Sequence, residues 1–313
     1  MSTTITLAKT SDSNSTHVNH KPSRSLWEDA FIRLKKNKAA VFSVYFIAFI
    51  CLVAIFAEFI APYPFDEQYM DKVLQTPSWT HWLGTDSLGR DLFSRIIYGA
   101  RMSMAVAIYT ALISLAIGAV YGSVSGWMGG RVDSLMMRLV DILYSIPTMV
   151  LLILVKVIFD AANLFDDPER KAYFSIVLAL SLVGWVTLAR VVRGQVLQVK
   201  QMTYVEAARA LGANPLWIVI KHVMPNILGP IVVLLTFQIP SNILFESFLS
   251  FIGLGLQPPF SSWGVLASSG WQTMRSYPHL IIFPSFAIFV TMLAFNFLGD
   301  GLRDALDPQM KGK

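Results

Sequence analysis

The sequence predicts an all-α membrane protein with six transmembrane helices. Of its 313 residues, 54% are hydrophobic and only 14% are charged, whereas roughly 25% are charged in a typical soluble domain. The mean hydropathy of +0.55 points the same way. Such a chain has too few polar residues to cover a surface that faces water. We therefore exclude a soluble globular domain.

The apolar residues are gathered into six long runs. A hydrocarbon core about 30 Å thick is crossed by roughly 20 apolar residues in a helix. A membrane β-barrel would instead show segments of about ten residues with alternating polarity. The first run is too long for a signal-peptide core and no small-residue cleavage site follows it, so we expect it to remain as an anchor. The predicted spans are residues 39–61, 102–124, 135–159, 172–189, 227–251 and 280–298.

The distribution of lysine and arginine predicts the orientation of these spans. Basic residues are concentrated in the N-terminal tail (1–38), in the loop between the fourth and fifth spans, and in the C-terminal tail (303–313). The positive-inside rule places all three segments in the cytoplasm. The acidic stretch 163–170 then lies outside. Segment 62–101 also lies outside, although it carries four basic residues.

Two polar segments differ from ordinary connections. Residues 1–25 are rich in Ser, Thr and Asn, a composition that predicts disorder. The external segment 62–101 is long, and its second half reads GTDSLGRDLFSRIIYGAR, with charged and apolar residues at helical spacing. We interpret this half as an interfacial helix on the outer membrane surface. The alternative is a docking or gating element that faces an external partner.

Small residues in the second span predict a close helix contact. Gly118, Gly122 and Gly126 recur at every fourth residue, and such spacing lets another helix approach closely in a membrane. We expect the neighbouring helix to belong to this chain's own bundle. A contact with another subunit is the alternative.

Besides Glu58 near the end of the first span, charged residues lie within the third and fifth spans. Arg138 and Asp141 lie three residues apart on one helical face, which predicts a mutual ion pair, and both are candidate polar residues of the bundle or of a pathway. Pro147 should kink the same span. Lys156 lies near its outer end and is expected to extend towards the headgroups. Glu246 is the one charge of the fifth span; we place it near the outer interface, with a residue lining a polar pathway as the alternative.

The sequence lacks the common motifs of nucleotide-binding and catalytic sites. There is no GxxxxGK[ST] phosphate loop, so ATP is not expected to bind this chain in the usual way. HExxH, CxxC and GxSxG are also absent, and the five histidines are scattered. The single cysteine, Cys51, lies in an apolar run, so no intrachain disulfide can form. We expect no catalysis, no cofactor in this chain and no nucleic-acid partner.

Two other classes of membrane protein remain alternatives. An ion-coupled secondary transporter would bury more carboxylates near the midplane, whereas three of these spans are almost free of ionisable groups. A membrane-embedded scaffold could bind a cytosolic partner without transport. Co-purification with other subunits would distinguish these classes from a multi-subunit transporter.

The loop at 199–226 has the most distinctive pattern in the chain. Beginning at Glu206 it reads EAARALGANPLWIVIKHVMPN. The pattern predicts a short helix over 204–210, a turn at Gly212, and a second, more apolar helix that Pro225 ends before the fifth span. This helix–turn–helix would project compactly from the membrane.

The first helix of this loop suggests a contact with another protein. Ala207 and Ala208 are small enough to seat closely in a groove, and Glu206 offers an anionic group beside them. Gly212 is expected to supply a backbone geometry that other residues reach only with strain. The alternative is an ordinary amphipathic loop helix.

The loop resembles the EAA loop of ABC-type import permeases. It has the EAA triplet, a glycine four residues after it, and an ending of the apolar-x-x-Pro type. The resemblance continues over nearly the whole chain from residue 25 and is nearest to the second permease subunit of oligopeptide and dipeptide importers. The other stretches that carry it are RSLWEDAFIRLKKNKAA, LGTDSLGRDLFSRIIYGAR, DSLMMRLVDILYSIP, LFESFLSFIGLGLQPPFSSWG and GDGLRDALDP.

This resemblance implies a type I ABC importer permease bundle in a bacterial inner membrane. The first helix, 39–61, would precede a core bundle of five helices at 102–302. The implied partners are a homologous second permease, two ATPases that bind ATP and Mg, an external binding protein and a peptide. An oligopeptide is the implied substrate, with a dipeptide, nickel or an antimicrobial peptide as alternatives. The residues implied to couple the chain to an ATPase are Glu206, Ala207, Ala208, Gly212 and Pro225.

Overall fold

The protein is described by a computed structural model over residues 26–162, 166–256 and 260–307. These ranges are largely helical and contain no β-strand. The expected disorder of residues 1–25, and parts of the stretches 163–170 and 303–313, lie outside the described residues. The helices are α1 Leu26–Lys36, α2 Lys38–Ile55, α3 Ala57–Ile60, α4 Leu92–Met128, α5 Gly130–Ser145, α6 Thr148–Ala161, α7 Pro168–Lys200, α8 Thr203–Ala210, α9 Pro215–Ile218, α10 Met224–Phe251, α11 Trp263–Gln272 and α12 His279–Leu306.

Side-chain caps define where three of these helices begin. The side chain of Asn37 accepts a hydrogen bond from the Ala40 amide at the start of α2. Asp91 caps α4, and Ser262 caps α11. Because the first four amides of a helix have no partner within it, each cap stabilises the start of its helix by roughly 1 kcal/mol.

The glycines at every fourth residue of α4 bring this helix against α7. A Cβ atom on Gly118 would lie 2.7 Å from the Cβ of Leu188, and one on Gly126 would lie 3.0 Å from the Cβ of Val196. The predicted close contact is therefore confirmed, and it lies within this chain's own bundle. Because residue numbers increase together along both helices, α4 and α7 run parallel.

Parallel neighbours require the chain to return between them, and α5 and α6 make this return. Asp133 of α5 contacts Arg193 near the end of α7, with 2.5 Å between Asp133 Oδ1 and Arg193 Nε. Asp160 of α6 accepts a hydrogen bond from Ser175 near the start of α7. The bent pair therefore crosses the bundle. Together with the five long apolar helices, it gives six crossings within the described ranges.

The predicted kink of the third span is a full break. The axes of α5 and α6 differ by 96°, and Ile146 and Pro147 between them are not helical. Proline lacks an amide hydrogen and disfavours helical geometry at the preceding residue, which explains the position of the break.

The predicted ion pair between Arg138 and Asp141 is wrong. Asp141 instead pairs with Arg190 of α7, at 2.7 Å between Asp141 Oδ1 and Arg190 Nη2. The Arg190 guanidinium also lies 4.3 Å from the centre of the Tyr144 ring, so α7 supplies a partner that is held in place. Arg138 lies on the exposed surface.

The prediction that Lys156 extends to the headgroups is also wrong. Its side chain is only 3% exposed, and its Nζ lies 2.5 Å from Asp160 Oδ2 one turn later. The same carboxylate accepts a hydrogen bond from Ser175 at 2.7 Å. Burial of a lysine requires a paired acceptor, and Asp160 provides it.

The interfacial helix predicted within 62–101 does not exist as a separate element. Helix α4 begins at Leu92 and continues without a break for 37 residues. The preceding residues form a folded loop around Asp86, whose Oδ2 lies 2.8 Å from Arg90 Nε and 2.5 Å from Arg95 Nη1. Arg95 is charged but 1% exposed. The alternation that suggested an amphipathic surface helix therefore comes from a buried ion network.

The two ends of the bundle are distinct. Arg33 of α1 donates a hydrogen bond to the carbonyl of Asp307, just after α12, and a Cβ on Gly229 would touch Leu306. We name as the α8 end the side that holds α1, the α4–α5 turn, α8, α9 and the C-terminal end of α12. The α11 end holds the loop 62–91, the C-terminal end of α6, the start of α7 and α11.

Candidate functional site

The helix–turn–helix at the α8 end is built on a buried apolar cluster. Val205 of α8, Ile218 of α9 and Val223 are all fully buried. They pack on Val192 and Val196 of α7. Because this cluster continues directly into the bundle, the segment is fixed to the membrane helices.

The turn between α8 and α9 has the predicted geometry. Gly212 has a φ of +79°, and no atom lies within 4 Å of a Cβ placed there. The expectation of a left-handed backbone is confirmed, because only glycine adopts this region without strain. Asn214 then caps α9 through its side chain, and Pro215 occupies the first turn of that helix.

Pro225 does not end the second helix of the segment, in contrast to the prediction. The residues from Pro215 to Phe251 form one continuous helix of 37 residues. A π-helical turn at Val219–Val223 precedes the proline. A wider turn of this kind accommodates a ring and a missing amide hydrogen that would otherwise break an α-helix.

The two predicted small residues face in different directions. Ala207 is exposed, as is Glu206, whereas Ala208 is partly buried and packs on the apolar cluster beneath α8. Of the predicted residues Glu206, Ala207 and Ala208, the first two are therefore available on the outer side of α8. Glu206 lies in the first turn of the helix, where a negative charge is favourable.

An exposed apolar surface adjoins these residues, and the sequence analysis did not single it out. Leu211 is 88% exposed, Leu216 67% and Ile220 62%. Trp217 is half exposed beside them. The sequence pattern that could have revealed this surface is an apolar run in a loop outside the predicted spans, with members on one helical face. We name the α8–α9 surface as Glu206, Ala207, Leu211, Leu216, Trp217 and Ile220.

Aromatic and basic residues attach α8 to the end of α4. The Arg209 guanidinium lies 4.4 Å from the centre of the Trp127 ring. Lys200 donates a hydrogen bond to the Trp127 carbonyl. Tyr204 is 42% exposed, and the burial of the remainder raises the pKa of its hydroxyl.

A cavity of about 500 Å³ lies beside the break between α5 and α6. Its polar lining consists of amides and hydroxyls, with Gln238, Ser241 and Asn242 of α10 facing Thr148 and Thr187. No acidic or basic side chain lines it in the part of the chain that the structure describes. Such a lining can hydrogen-bond an uncharged polar group, and it favours neither positively nor negatively charged ligands.

Glu246 lies outside this cavity and away from any surface. Its side chain is fully buried (0% exposed). The carboxyl group is therefore enclosed by protein, and its position near the outer interface stays a prediction. Ser103 of α4 and Ser250 of α10 donate hydrogen bonds to it. Arg138 and Asp141 also lie outside the residues that line the cavity.

The crossing helices, the cavity beside a broken span and the exposed surface at one end define a multi-pass membrane permease. The family described as "Binding-protein-dependent transport system inner membrane component" matches residues 118–312. That described as "N-terminal TM domain of oligopeptide transport permease C" matches residues 25–77. The chain belongs to the binding-protein-dependent transport system inner membrane component family. It is therefore a permease subunit of an ABC importer in the inner membrane.

Individual relatives are similar over most of their length. The chain is 44% identical to the dipeptide transport system permease protein DppC of Bacillus subtilis (strain 168), covering 93% of this chain and 88% of that protein. It is 44% identical to the oligopeptide transport system permease protein OppC of Escherichia coli (strain K12), covering 91% and 92%. A glutathione transport system permease protein GsiD of Pectobacterium atrosepticum is 38% identical over 94% of this chain and 95% of that protein.

A solved structure supports the fold. The inward-facing MetNI methionine ABC transporter matches 69% of this chain and 98% of its own chain, with a TM-score of 0.56 and 19% identity. The type I importer bundle implied by the sequence is thereby confirmed for the core of the chain.

Proposed function

We propose that this chain is one of two different permeases in an ATP-driven importer of oligopeptides, and that its α8–α9 surface docks on an ATPase subunit. The exposed apolar surface carries this proposal, since Leu211 is 88% exposed beside an anionic Glu206. A soluble surface rarely leaves such a patch uncovered unless a partner binds there. The chain itself lacks a phosphate loop.

The proposed mechanism separates ATP hydrolysis from transport. Two partner ATPases bind ATP with Mg and close on one another, and this closure displaces the α8–α9 surface. The displacement is carried into the bundle because α9 and α10 form one continuous helix. The permeases then alternate between inward-facing and outward-facing states. This chain would need no cofactor of its own.

The substrate assignment rests on the relatives and on the cavity. The names of the relatives specify oligopeptides, dipeptides and glutathione, all of which are peptides. The cavity offers amides and hydroxyls, which match a peptide backbone and do not depend on side-chain charge. A dipeptide is the second candidate. An external binding protein would deliver either one.

The proposed orientation places the α8 end in the cytoplasm. The described basic residues at this end include Arg33, Lys35, Lys36 and Lys38 at the start of the bundle. Lys200, Arg209 and Lys221 flank the α8–α9 segment. The positive-inside rule therefore assigns this end to the cytoplasm, with both termini.

Leucine substitutions at two alanines test the docking surface. Ala207→Leu places a bulkier group on the surface, and overpacking a fitted contact typically costs about 1–3 kcal/mol. We expect uptake of a labelled peptide to fall by about tenfold, with either fewer ATPases recovered or less substrate-stimulated ATP hydrolysis. Recovery of the sister permease should be unchanged, because Ala207 lies outside the bundle.

Ala39→Leu is the matched control, since Ala39 is also exposed at the α8 end but lies on α2. It should leave uptake and ATP hydrolysis at normal levels. Gly212→Asp should reproduce the loss through strain at a φ of +79°. Normal uptake and normal stimulated hydrolysis in both Ala207→Leu and Gly212→Asp would show that this surface does not couple to an ATPase.

A further inference from the structure

Glu246 lies at the junction of three helices near the α11 end. Ser103 of α4 donates to its Oε2 at 3.1 Å, and Ser250 of α10 donates to its Oε1 at 2.9 Å. Ser247 of α10 lies beside them, with its hydroxyl 3.5 Å from Oε2. The carboxyl group of Glu246 thus accepts hydrogen bonds from hydroxyl groups of both α4 and α10.

The direction of the Ser103 hydrogen bond follows from its other partner. The Ser103 hydroxyl oxygen accepts from the backbone amide of Trp263 at 3.2 Å. Ser103 therefore has its single proton left to donate to Glu246. An amide at the start of α11 is thus connected to the carboxyl group of Glu246 through one serine.

This arrangement places a hydrogen-bonding carboxyl group beside the start of α11. The amides at a helix N-terminus have no partner within the helix. Burial strengthens a hydrogen bond there because little water screens it. Glu246 therefore attaches α11 to α10 by a hydrogen-bonded connection through Ser103 and also by packing.

Helix α11 is tightly enclosed by its neighbours. A Cβ on Gly264 would lie 2.5 Å from the Cα of Ser247 on α10, and a Cβ on Gly270 would lie 2.5 Å from the carbonyl carbon of Leu280 on α12. The Trp263 indole donates to the carbonyl of Ile96 on α4 at 3.1 Å. Any movement of α10 at this end must therefore move α11 or break these contacts.

The opposite end of the same helix carries the α8–α9 surface. The continuous helix from Pro215 to Phe251 has 37 residues, and at 1.5 Å per residue it extends about 55 Å. Leu216 and Ile220 are exposed near its beginning, and Glu246 is buried near its end. One continuous helix therefore connects the proposed docking surface to α11.

We propose that Glu246 is a positioning residue that fixes α11 to α10, so that movement of the α8–α9 surface is transmitted to α11 at the other end of the bundle. The inference rests on the proposed docking of that surface. The fixation of α11 itself does not, since it requires only the contacts of Glu246. These two parts can be tested separately.

The test uses the assembled importer with Cys51→Ala and a reporter cysteine, Ala267→Cys, which is partly buried on α11. Glu246→Gln keeps the size of the side chain but turns an amide donor towards serines that also donate. We expect Ala267→Cys to react about tenfold faster with a polar maleimide without ATP, because the loss of a buried hydrogen bond loosens α11. Peptide uptake should fall by about tenfold while ATP hydrolysis continues.

Two further variants show whether Glu246 acts through Ser103. Ser103→Ala should raise the reactivity of the reporter in the same direction. The double variant with Glu246→Gln should lose no more uptake than Glu246→Gln alone, because both substitutions remove the same connection through Ser103. Glu58→Gln is the control, since Glu58 is an exposed carboxylate at the same end. Its removal should change neither the reactivity of the reporter nor peptide uptake.

Unchanged reactivity of the reporter in Glu246→Gln would overturn the proposal, whatever happens to uptake. Normal uptake with a faster-reacting reporter would also overturn the proposal, because α11 would then be released from α10 without an effect on transport. If Glu246→Gln does not assemble, Ser103→Ala keeps the carboxyl group of Glu246, and an unchanged reporter in that variant would overturn the proposal. A failure of docking would appear separately, as normal activity of Ala207→Leu.

Discussion

Single residues in the loop before α4 show how a membrane protein buries several charges at once. Asp86 Oδ2 contacts Arg90 and Arg95, while Asp86 Oδ1 accepts from the amides of Leu88 and Arg90. His81 and Asp91 form a second pair, at 2.9 Å between Nδ1 and Oδ1. Each buried charge is therefore held by an opposite charge or by hydrogen bonds, as burial requires.

We expect Asp86→Asn to destabilise the protein strongly. It leaves the Arg95 guanidinium buried beside a neutral amide, and breaking a buried pair in this way costs about 3–5 kcal/mol. The thermal unfolding midpoint of the purified complex should fall. Asp71→Asn is the control, because Asp71 is exposed in the same loop. Equal midpoints for the two variants would contradict the structural role of Asp86.

At this scale the sequence predicted local geometry better than it predicted partners. The positive φ of Gly212 followed from its position after a helix, because that conformation depends on the residue itself. The partner of Asp141 could not be predicted in this way, because Arg190 is 49 residues away and reaches Asp141 through the packing of two helices. The exposed Leu211 and Trp217 could not be distinguished from core residues before the packing of α8 was known.

Helices α4 and α7 form an extended close contact at the scale of elements. Their contact depends on glycines whose missing side chains leave room for backbone. We expect Gly118→Ala to lower the unfolding midpoint, since its Cβ would lie 2.7 Å from Leu188 Cβ, and overpacking costs about 1–3 kcal/mol.

Gly194→Ala on α7 is the matched control for this glycine contact. No atom lies within 4 Å of a Cβ at that position, and alanine favours a helix over glycine by up to about 1 kcal/mol. The midpoint should therefore stay or rise in the same assay. A loss as large as that of Gly118→Ala would mean that the α4–α7 contact is not the cause.

The existence of these helices was predicted by hydropathy, but their ends were not. The second span was predicted over 102–124, whereas α4 covers Leu92–Met128. Charged residues such as Arg95 look like the end of a membrane helix, and they continue it here because Asp86 neutralises them. The sequence predicted only a kink at Pro147. The full break of 96° could not be predicted, because this angle depends on how α6 packs on α7.

The whole molecule places three functional elements in a definite order across the membrane. The α8–α9 surface is at one end, the cavity lies beside the break of the third span, and α11 closes against the other end. The number of crossings decides this order. With six crossings, α1 and α8 share one side, whereas a re-entrant α5–α6 pair would place them on opposite sides.

Cysteine labelling in intact cells tests this arrangement, with Cys51 replaced by Ala. Lys36→Cys and Lys221→Cys lie at the α8 end, and Gln68→Cys lies in the loop before α4; all three positions are exposed. We expect an impermeant maleimide to label Gln68→Cys in intact cells, and the two lysine positions only after permeabilisation. The physical reason is the basic charge of the α8 end, which the positive-inside rule keeps in the cytoplasm. Labelling of Lys221→Cys but not Lys36→Cys in intact cells would mean five crossings, and labelling of both lysine positions would reverse the orientation.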